Sequence, residues 1–232
     1  MHRFEWLLGT FGPHTFFDDT NLILPSGRFF QTHGLGDKGR VGRLFDEVRA
    51  HMGIAHWPVR LVPRGAVPMG RDPAAYLRTA VAGSFYDPPD AGPAIITYNP
   101  RLTANRTALI GTFAHELAHY ILAPHAAQAP GGEPEHELLT DLAVVFFGFG
   151  VIDLQGAHEI GWRGYLDSGA RLYALATFLR LKGIDPSATH PHLDRSLQRR
   201  LLKALIQRDD RGDEIAFLKA FHADQVAAVR PG

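Results

Sequence analysis

The chain has 232 residues, which is enough for one sizeable core and leaves little room for a second full domain. Basic and acidic residues both number 24, so no net field draws the protein to nucleic acid or to an anionic membrane. The sequence contains no cysteine, which excludes disulfides, thiolate nucleophiles and every zinc site with a cysteine ligand. Any bound metal must therefore rest on histidine, aspartate or glutamate.

The composition is that of an ordinary soluble globular protein, with 45% hydrophobic and 21% charged residues. Near the start, the unbroken apolar run is only Trp6, Leu7 and Leu8, which is too short for a signal peptide. The longest apolar run, residues 142–152, is interrupted by glycines and is too short to span a bilayer. We therefore expect a cytoplasmic protein that binds neither membranes nor nucleic acid.

The first predicted elements form a small sheet with one helix. Residues 21–31 carry two apolar stretches around Pro-Ser-Gly, which is typical of a hairpin. Helical spacing of apolar residues predicts a helix over 41–52 that stops at a glycine. The segments 59–62 (VRLV) and 94–98 (AIITY) predict strands. The second of these is expected at an edge of the sheet, where it can pair with an extended peptide.

A long helix is predicted over residues 103–122, with Thr103 as its N-cap. At about 100° per residue, His115 and His119 share one face of this helix, and Glu116 lies at the edge of that face. Apolar side chains fill the other faces. A helix that is apolar nearly all round is a buried helix, so the polar groups are expected to line a cavity.

Helices account for the rest of the predicted chain. One is expected over residues 134–149, with an acidic first turn. Three more are expected over 165–182, closed by Gly183, over 193–207 and over 214–229. On the first of these, Arg171 and Arg180 are predicted to lie on the solvated side. Strands with one helix, followed by helices alone, predict an α+β fold with a helical C-terminal part.

Residues 115–119 read His-Glu-x-x-His, a spacing that is typical of metal-binding sites. Histidines four residues apart on a helix lie one turn apart, close enough to bind a single ion, and Glu116 faces the same cavity. A chance match in a chain of this composition has a probability of roughly 2%. An incidental ion pair on an exposed helix, or hydrogen-bonded core histidines, would be the alternative. Both are disfavoured, because two histidines and a glutamate are costly to bury without a cation.

The segment TFAHELAHYIL resembles the active-site helix of the zincin metallopeptidases. Downstream, EHELLTDLAVVFFGFG places Glu137 and Asp141 four residues apart, which is similar to the second helix of the gluzincin group. The resemblance implies one zinc ion per chain on His115, His119 and Glu137, with Asp141 hydrogen-bonded to a ligand histidine. It covers residues 94–150, under a third of the chain, and is specific at the metal-binding residues.

Other third ligands stay open. His125 lies six residues after His119, where metzincins have their third histidine, but Leu122 stands where that pattern needs a glycine, and no methionine follows. Peptide deformylases share the motif but use a cysteine ligand, and aminopeptidases with a Gly-x-Met-x-Asn loop are disfavoured because the chain lacks that loop. The remaining candidate ligands are Asp141, His136 and Glu133.

The resemblance also implies an architecture. Residues 1–155 are expected to form a zincin-like metallohydrolase core, made of a small mixed sheet with an edge strand, the active-site helix and a second ligand-bearing helix. Residues 156–232 are expected to form a helical C-terminal extension packed on that core.

The implied activity is hydrolysis of a peptide bond in a peptide or protein substrate. A zinc-activated water attacks the scissile carbonyl, and Glu116 acts as the general base. Tyr165 is the expected second donor to the oxyanion, with His158 and Arg163 as alternatives. A non-catalytic binding or regulatory protein on a zincin scaffold is a second hypothesis, which the intact Glu116 disfavours. A hydrolase of non-peptide amides is a third.

Overall fold

The computed structural model of the protein describes residues 2–32, 34, 36–64, 83–87, 92–161 and 166–229. Within these residues the fold is mixed α/β, mostly helical, with one small three-stranded sheet. The strands are β1 Val59–Pro63, β2 Gly83–Tyr86 and β3 Ala94–Tyr98. The helices are α1 His2–Phe11, α2 Asp37–His51, α3 Arg106–Leu122, α4 His136–Phe146, α5 Gly150–Glu159, α6 Ser168–Lys182, α7 Arg195–Asp209 and α8 Gly212–Val229. Short 3₁₀ segments cover Pro100–Ala104, Ala123–Gln128, Glu133–Glu135 and Pro186–His192, and a π-helical turn covers Thr15–Asp19.

The sheet is mixed, with strand order β1-β3-β2. Strand β1 runs parallel to β3, with Val59 opposite Ala94, and β2 runs antiparallel to β3, with Gly83 opposite Tyr98. The predicted strand AIITY is confirmed as β3, but its predicted place at an edge is wrong, because both of its sides are paired. Among the described strands, β1 and β2 are the outer ones. The sequence of β2, GSFY, is too short and too rich in small residues to predict a strand by pattern.

The predicted hairpin at residues 21–31 is wrong. This segment contains bends and turns, and its apolar side chains Leu22, Ile23 and Phe30 are buried in the core. The backbone N–H of Ile23 donates to the carbonyl of Gly148, 2.9 Å away, in the turn between α4 and α5. The segment is therefore held by the helices and does not pair with itself.

Helix α3, which carries His115 and His119, begins later than predicted. Asn105 is its N-cap, and the side-chain oxygen accepts a hydrogen bond from the N–H of Ala108 at 2.9 Å. Thr103 was the predicted cap, but it lies in the preceding 3₁₀ segment, where its hydroxyl donates to the carbonyl of Pro100. The prediction of a buried helix is confirmed, since α3 packs against α2, α4, α5, β2 and β3.

The helix predicted over 134–149 is shorter than expected, since α4 covers His136–Phe146 and α5 begins only at Gly150. Gly148 lies between them with a φ of 91°, and a Cβ there would lie 1.9 Å from the carbonyl oxygen of Asn21. Helix α5 then packs closely on α3, because Gly156 has no side chain and faces Ala108. This close packing brings the second half of α5 against the first turn of α3.

The C-terminal helices follow the prediction closely, and α6 ends at Gly183 in the left-handed conformation. One hydrophobic cluster runs from α1 to α8 and includes Leu8, Phe113, Leu175 and Leu218. The predicted division at residue 155 lies within α5 and stays a prediction. Among the helices of the described ranges, none combines the length and apolar character that a bilayer crossing requires.

Candidate metal centre

Two helices and one strand position the candidate centre. Helix α3 carries His115, Glu116 and His119 in its second half, and the first turn of α4 carries Glu137. Strand β2 passes beside them: the ring of Phe85 lies parallel to the imidazole of His119, with ring centres 6.4 Å apart. The candidate side chains are therefore fixed by regular elements that pack on the core.

The imidazoles of His115 and His119 and the carboxylate of Glu137 converge on one point. The two Nε2 atoms are 3.1 Å apart. Oε2 of Glu137 lies 3.3 Å from Nε2 of His115 and 3.2 Å from Nε2 of His119. Within the described ranges, these three side chains form the group that could hold a metal ion.

The opposite nitrogen of each imidazole already has a partner. Nδ1 of His115 donates to Oδ1 of Asp141 at 2.9 Å. Nδ1 of His119 lies 3.3 Å from the hydroxyl oxygen of Thr140, whose own proton goes to the carbonyl of His136. The Thr140 oxygen can thus accept from His119, as can Nε2 of His136, which lies 3.2 Å from the same Nδ1. Both rings are held in the tautomer that leaves a lone pair on Nε2.

The converging atoms need a positive charge between them, either a proton or a metal cation. In its neutral form each histidine presents a lone pair at Nε2, and Oε2 of Glu137 is buried 3.2–3.3 Å from both of these nitrogens. Lone pairs that face one another at such short distances repel unless a positive charge lies between them. The residues present therefore fit a metal ion.

The spacing and the donor set agree with zinc. Zinc binds histidine nitrogen and carboxylate oxygen at about 2.0–2.2 Å, so a tetrahedral site separates its ligand atoms by about 3.3–3.5 Å. The three separations here, 3.1, 3.2 and 3.3 Å, are close to that value. Two imidazoles with one carboxylate suit zinc and its transition-metal neighbours better than calcium or magnesium, which prefer oxygen ligands throughout.

The electrostatics of the group favour positive charge. Burial disfavours a charged His115, but its hydrogen bonds to Asp141 and Glu137 prevail and raise its pKa to about 10. Burial likewise works against the charged form of Glu137, but hydrogen bonds with His115 and His119 bring its pKa far below the usual range. The surroundings that hold a proton on His115 also attract a metal cation, which would displace that proton.

Glu116 lies beside the three converging side chains and is not one of them. Its side chain is only 5% exposed, and burial raises its pKa to about 7, although the charges of His115 and Arg64 act in the opposite direction. Its carboxylate lies against Gly83 of β2, where a Cβ would come within 2.8 Å of Oε1. Glu116 is thus a confined carboxyl group whose pKa suits proton transfer.

No family model, curated protein or solved structure matches this chain. The likeness to zincins therefore rests on the residues of α3 and α4 and on the geometry just described. What the centre does has to be inferred from its own chemistry.

The structure places the alternative ligands elsewhere. His125 packs edge-on against the ring of Phe11, with ring centres 5.5 Å apart, and does not join the group. Nε2 of His136 lies 3.2 Å from Nδ1 of His119, behind the ring and away from the converging atoms. Glu133 is exposed. Asp141 contacts the far side of His115, as the likeness to the gluzincins implied.

Of the three predicted oxyanion donors, His158 alone lies within the described ranges. Tyr165 and Arg163 lie outside the described ranges. His158 lies on α5, near the start of α7, where it contributes to lowering the pKa of Asp194 after the larger effect of hydrogen bonds with Ser196.

Several residues near the centre were missed. Gly83 and Phe85 belong to the unpredicted strand β2, and Thr140 has no recognisable motif.

The prediction of Arg171 on a solvated face is wrong: it is 2% exposed, because Asp141 and Asp153 draw it into the core. Its companion Arg180 pairs with Asp209 near the surface. The apolar surroundings of Arg171 in α6 were the one signal that a charged partner was needed.

Proposed function

We propose that this protein is a zinc-dependent hydrolase with a zincin-like core, and that it cleaves peptide bonds. One observation carries the proposal: the lone pairs of two oriented histidines and a glutamate converge beside a buried carboxyl group, Glu116, that takes no part in the convergence. A purely structural metal does not require such a neighbouring carboxyl group. A metal-assisted hydrolase requires both the metal ligands and a carboxyl group that can take the proton of the attacking water.

His115, His119 and Glu137 would hold the metal. Two neutral imidazoles and one carboxylate leave a net positive charge on a divalent ion, which is the condition for Lewis-acid chemistry. When bound there, zinc would polarise the scissile carbonyl and lower the pKa of a water molecule to near 7. Asp141 and Thr140 keep the two imidazoles turned toward the ion through their Nδ1 atoms.

Glu116 would move the proton. Its carboxylate takes a proton from the attacking water and delivers it to the leaving nitrogen, so the amine leaves as a neutral group. In the metal-free protein, burial raises the pKa of this carboxyl group above its usual range, which makes it a better proton acceptor than an exposed glutamate. The close approach of Gly83 restricts where Oε1 can lie.

The position of the outer strand β2 favours a peptide as the substrate. Gly83 lies against Glu116 and Phe85 lies beside His119, so the strand runs along the centre. An outer strand offers backbone N–H and carbonyl groups to an extended peptide, and Tyr86 beyond Phe85 is 55% exposed. This role, first expected for AIITY, belongs to β2 in the proposed enzyme.

A mixture of synthetic peptides tests the proposal. The purified protein with zinc should generate new peptide termini, detected by mass spectrometry, and 1,10-phenanthroline should stop cleavage until zinc is restored. Bound zinc without cleavage of peptides or of simple amides would contradict the enzyme and support a binding scaffold. Cleavage of non-peptide amides alone would contradict the substrate class and retain the hydrolase.

Replacing Gly83 with alanine should slow turnover roughly 100-fold without loss of zinc. The new Cβ would lie 2.8 Å from both Oε1 and Cγ of Glu116, so the carboxylate has to move. The metal ligands do not touch this position. Steady-state kinetics and metal analysis of the same sample measure the two quantities. Gly42→Ala is the matched control, because nothing lies within 4 Å of a Cβ there. Unchanged kinetics in Gly83→Ala would contradict the role given to this contact.

A further inference from the structure

A buried row of charges lies behind His115. Arg171 of α6 is 2% exposed and Asp141 of α4 is 1% exposed. Nη2 of Arg171 donates to Oδ2 of Asp141 at 3.0 Å, and Nη1 forms a close ion pair with Asp153 of α5. Nε donates to the carbonyl of Leu166 at 3.1 Å. One guanidinium therefore joins three separate parts of the chain.

The carboxylate of Asp141 is held at both oxygens. Oδ1 accepts from Nδ1 of His115 at 2.9 Å. Oδ2 accepts from the backbone N–H of Leu166 at 2.8 Å and from Arg171. With Oδ2 fixed, the carboxylate cannot rotate away from the imidazole. The orientation of His115 thus depends on groups that belong to the C-terminal half of the chain.

We propose that Arg171 is a positioning residue of the metal centre. Held in place by Asp153, it fixes the carboxylate of Asp141, which in turn directs Nε2 of His115 toward the metal. This inference rests on the proposed function, because it assumes that His115 is a ligand. It makes α5 and α6 part of the metal centre, so residues beyond the likeness to zincins complete it.

Stability alone does not explain this arrangement. Replacing a buried ion pair with apolar residues is often neutral or stabilising, so burial of three charges is weak support for a purely structural role. The planar fork of arginine meets Asp141, Asp153 and Leu166 at once. A lysine ammonium keeps the charge but lacks that fixed fork. Arg171→Lys therefore separates orientation from charge.

Zinc affinity measured by competition with a chromophoric chelator tests the inference. Arg171→Lys should bind zinc about 10-fold more weakly than the wild type, and Asp141→Asn about 10–100-fold more weakly. The double variant should bind no more weakly than Asp141→Asn, because Arg171 acts through Asp141. Arg180→Lys, on the same helix but paired with Asp209 near the surface, should bind like the wild type. Circular dichroism of the metal-free proteins shows that each variant is folded.

Wild-type zinc affinity in a folded Arg171→Lys, or additive losses in the double variant, would overturn the inference and leave the proposed function standing. Failure of the wild type itself to bind zinc would overturn both. If Arg171→Lys does not fold, Asp153→Asn replaces it, since this change keeps the arginine and weakens its anchor. A several-fold loss of affinity that disappears in the Asp141→Asn background is then expected. Unchanged affinity of Asp153→Asn would overturn the inference.

Discussion

Glu116→Gln should lower the turnover number by about 10²–10⁴-fold while the protein keeps one zinc per chain. Glutamine has nearly the shape of glutamate, so it can retain the close approach to Gly83. Its amide cannot accept a proton from water. Because Glu116 is not among the converging side chains, its replacement removes the proposed base without removing a ligand.

Single-turnover kinetics and elemental analysis of the same preparation separate these two effects. Glu159→Gln is a suitable control, since this exposed residue lies at the end of α5 and contacts Gln155. Full activity in Glu116→Gln would eliminate this residue as the base. Loss of zinc from the folded variant would instead indicate that Glu116 is a ligand.

Glu137→Gln should weaken zinc binding more than any change in the groups behind the ligands. Losing such a supporting partner costs about 10–100-fold in affinity, so losing a charged ligand should cost over about 100-fold. Oε2 of Glu137 lies 3.2–3.3 Å from both Nε2 atoms, and it brings the only negative charge among the converging atoms. Without it, the converging side chains carry no negative charge to neutralise part of the charge of a divalent ion.

Competition with a chelator at fixed pH measures this loss. Glu133→Gln is the matched control, because it is also a glutamate near the start of α4 but is exposed. Full zinc binding by Glu137→Gln would refute the proposed ligand set and direct attention to His125 or His136. Equal losses in both variants would show that general negative charge near α4, and not ligation, holds the ion.

Helix α3 could be predicted from the sequence because the pattern that defines it is local. His115 and His119 are four residues apart, and an α-helix alone brings them together. The apolar residues around them predicted burial, and α3 is buried. Its N-cap was misplaced because Thr103 and Asn105 are both good caps, and only the 3₁₀ segment before Asn105 decides between them.

The sheet order could not be predicted from pattern. AIITY is a strong strand sequence, but whether it lies at an edge depends on whether a second strand pairs with its other side. That partner, Gly83–Tyr86, has four residues and begins with a glycine, which lowers its strand propensity. The glycine is kept because Glu116 and Thr112 occupy the space of a side chain. Gly83 therefore lowers the strand propensity of β2 and also leaves the space that Glu116 occupies.

The likeness to gluzincins predicted Glu137 and Asp141. No sequence motif pointed to Arg171, which holds the carboxylate of Asp141. Arg171 and Arg180 are both arginines on α6, and helical periodicity gave them the same exposed environment. The structure separates them by their partners, since Asp141 and Asp153 are buried and Asp209 is at the surface. Such pairings depend on how helices distant in sequence pack.

X-ray diffraction from crystals grown with zinc, collected on both sides of the zinc absorption edge, tests the metal centre most directly. We expect one anomalous peak bonded to Nε2 of His115, Nε2 of His119 and a carboxylate oxygen of Glu137, at about 2.0–2.2 Å from each. A fully occupied peak elsewhere, or none at these side chains in a folded protein saturated with zinc, would contradict the centre and the hydrolase built on it.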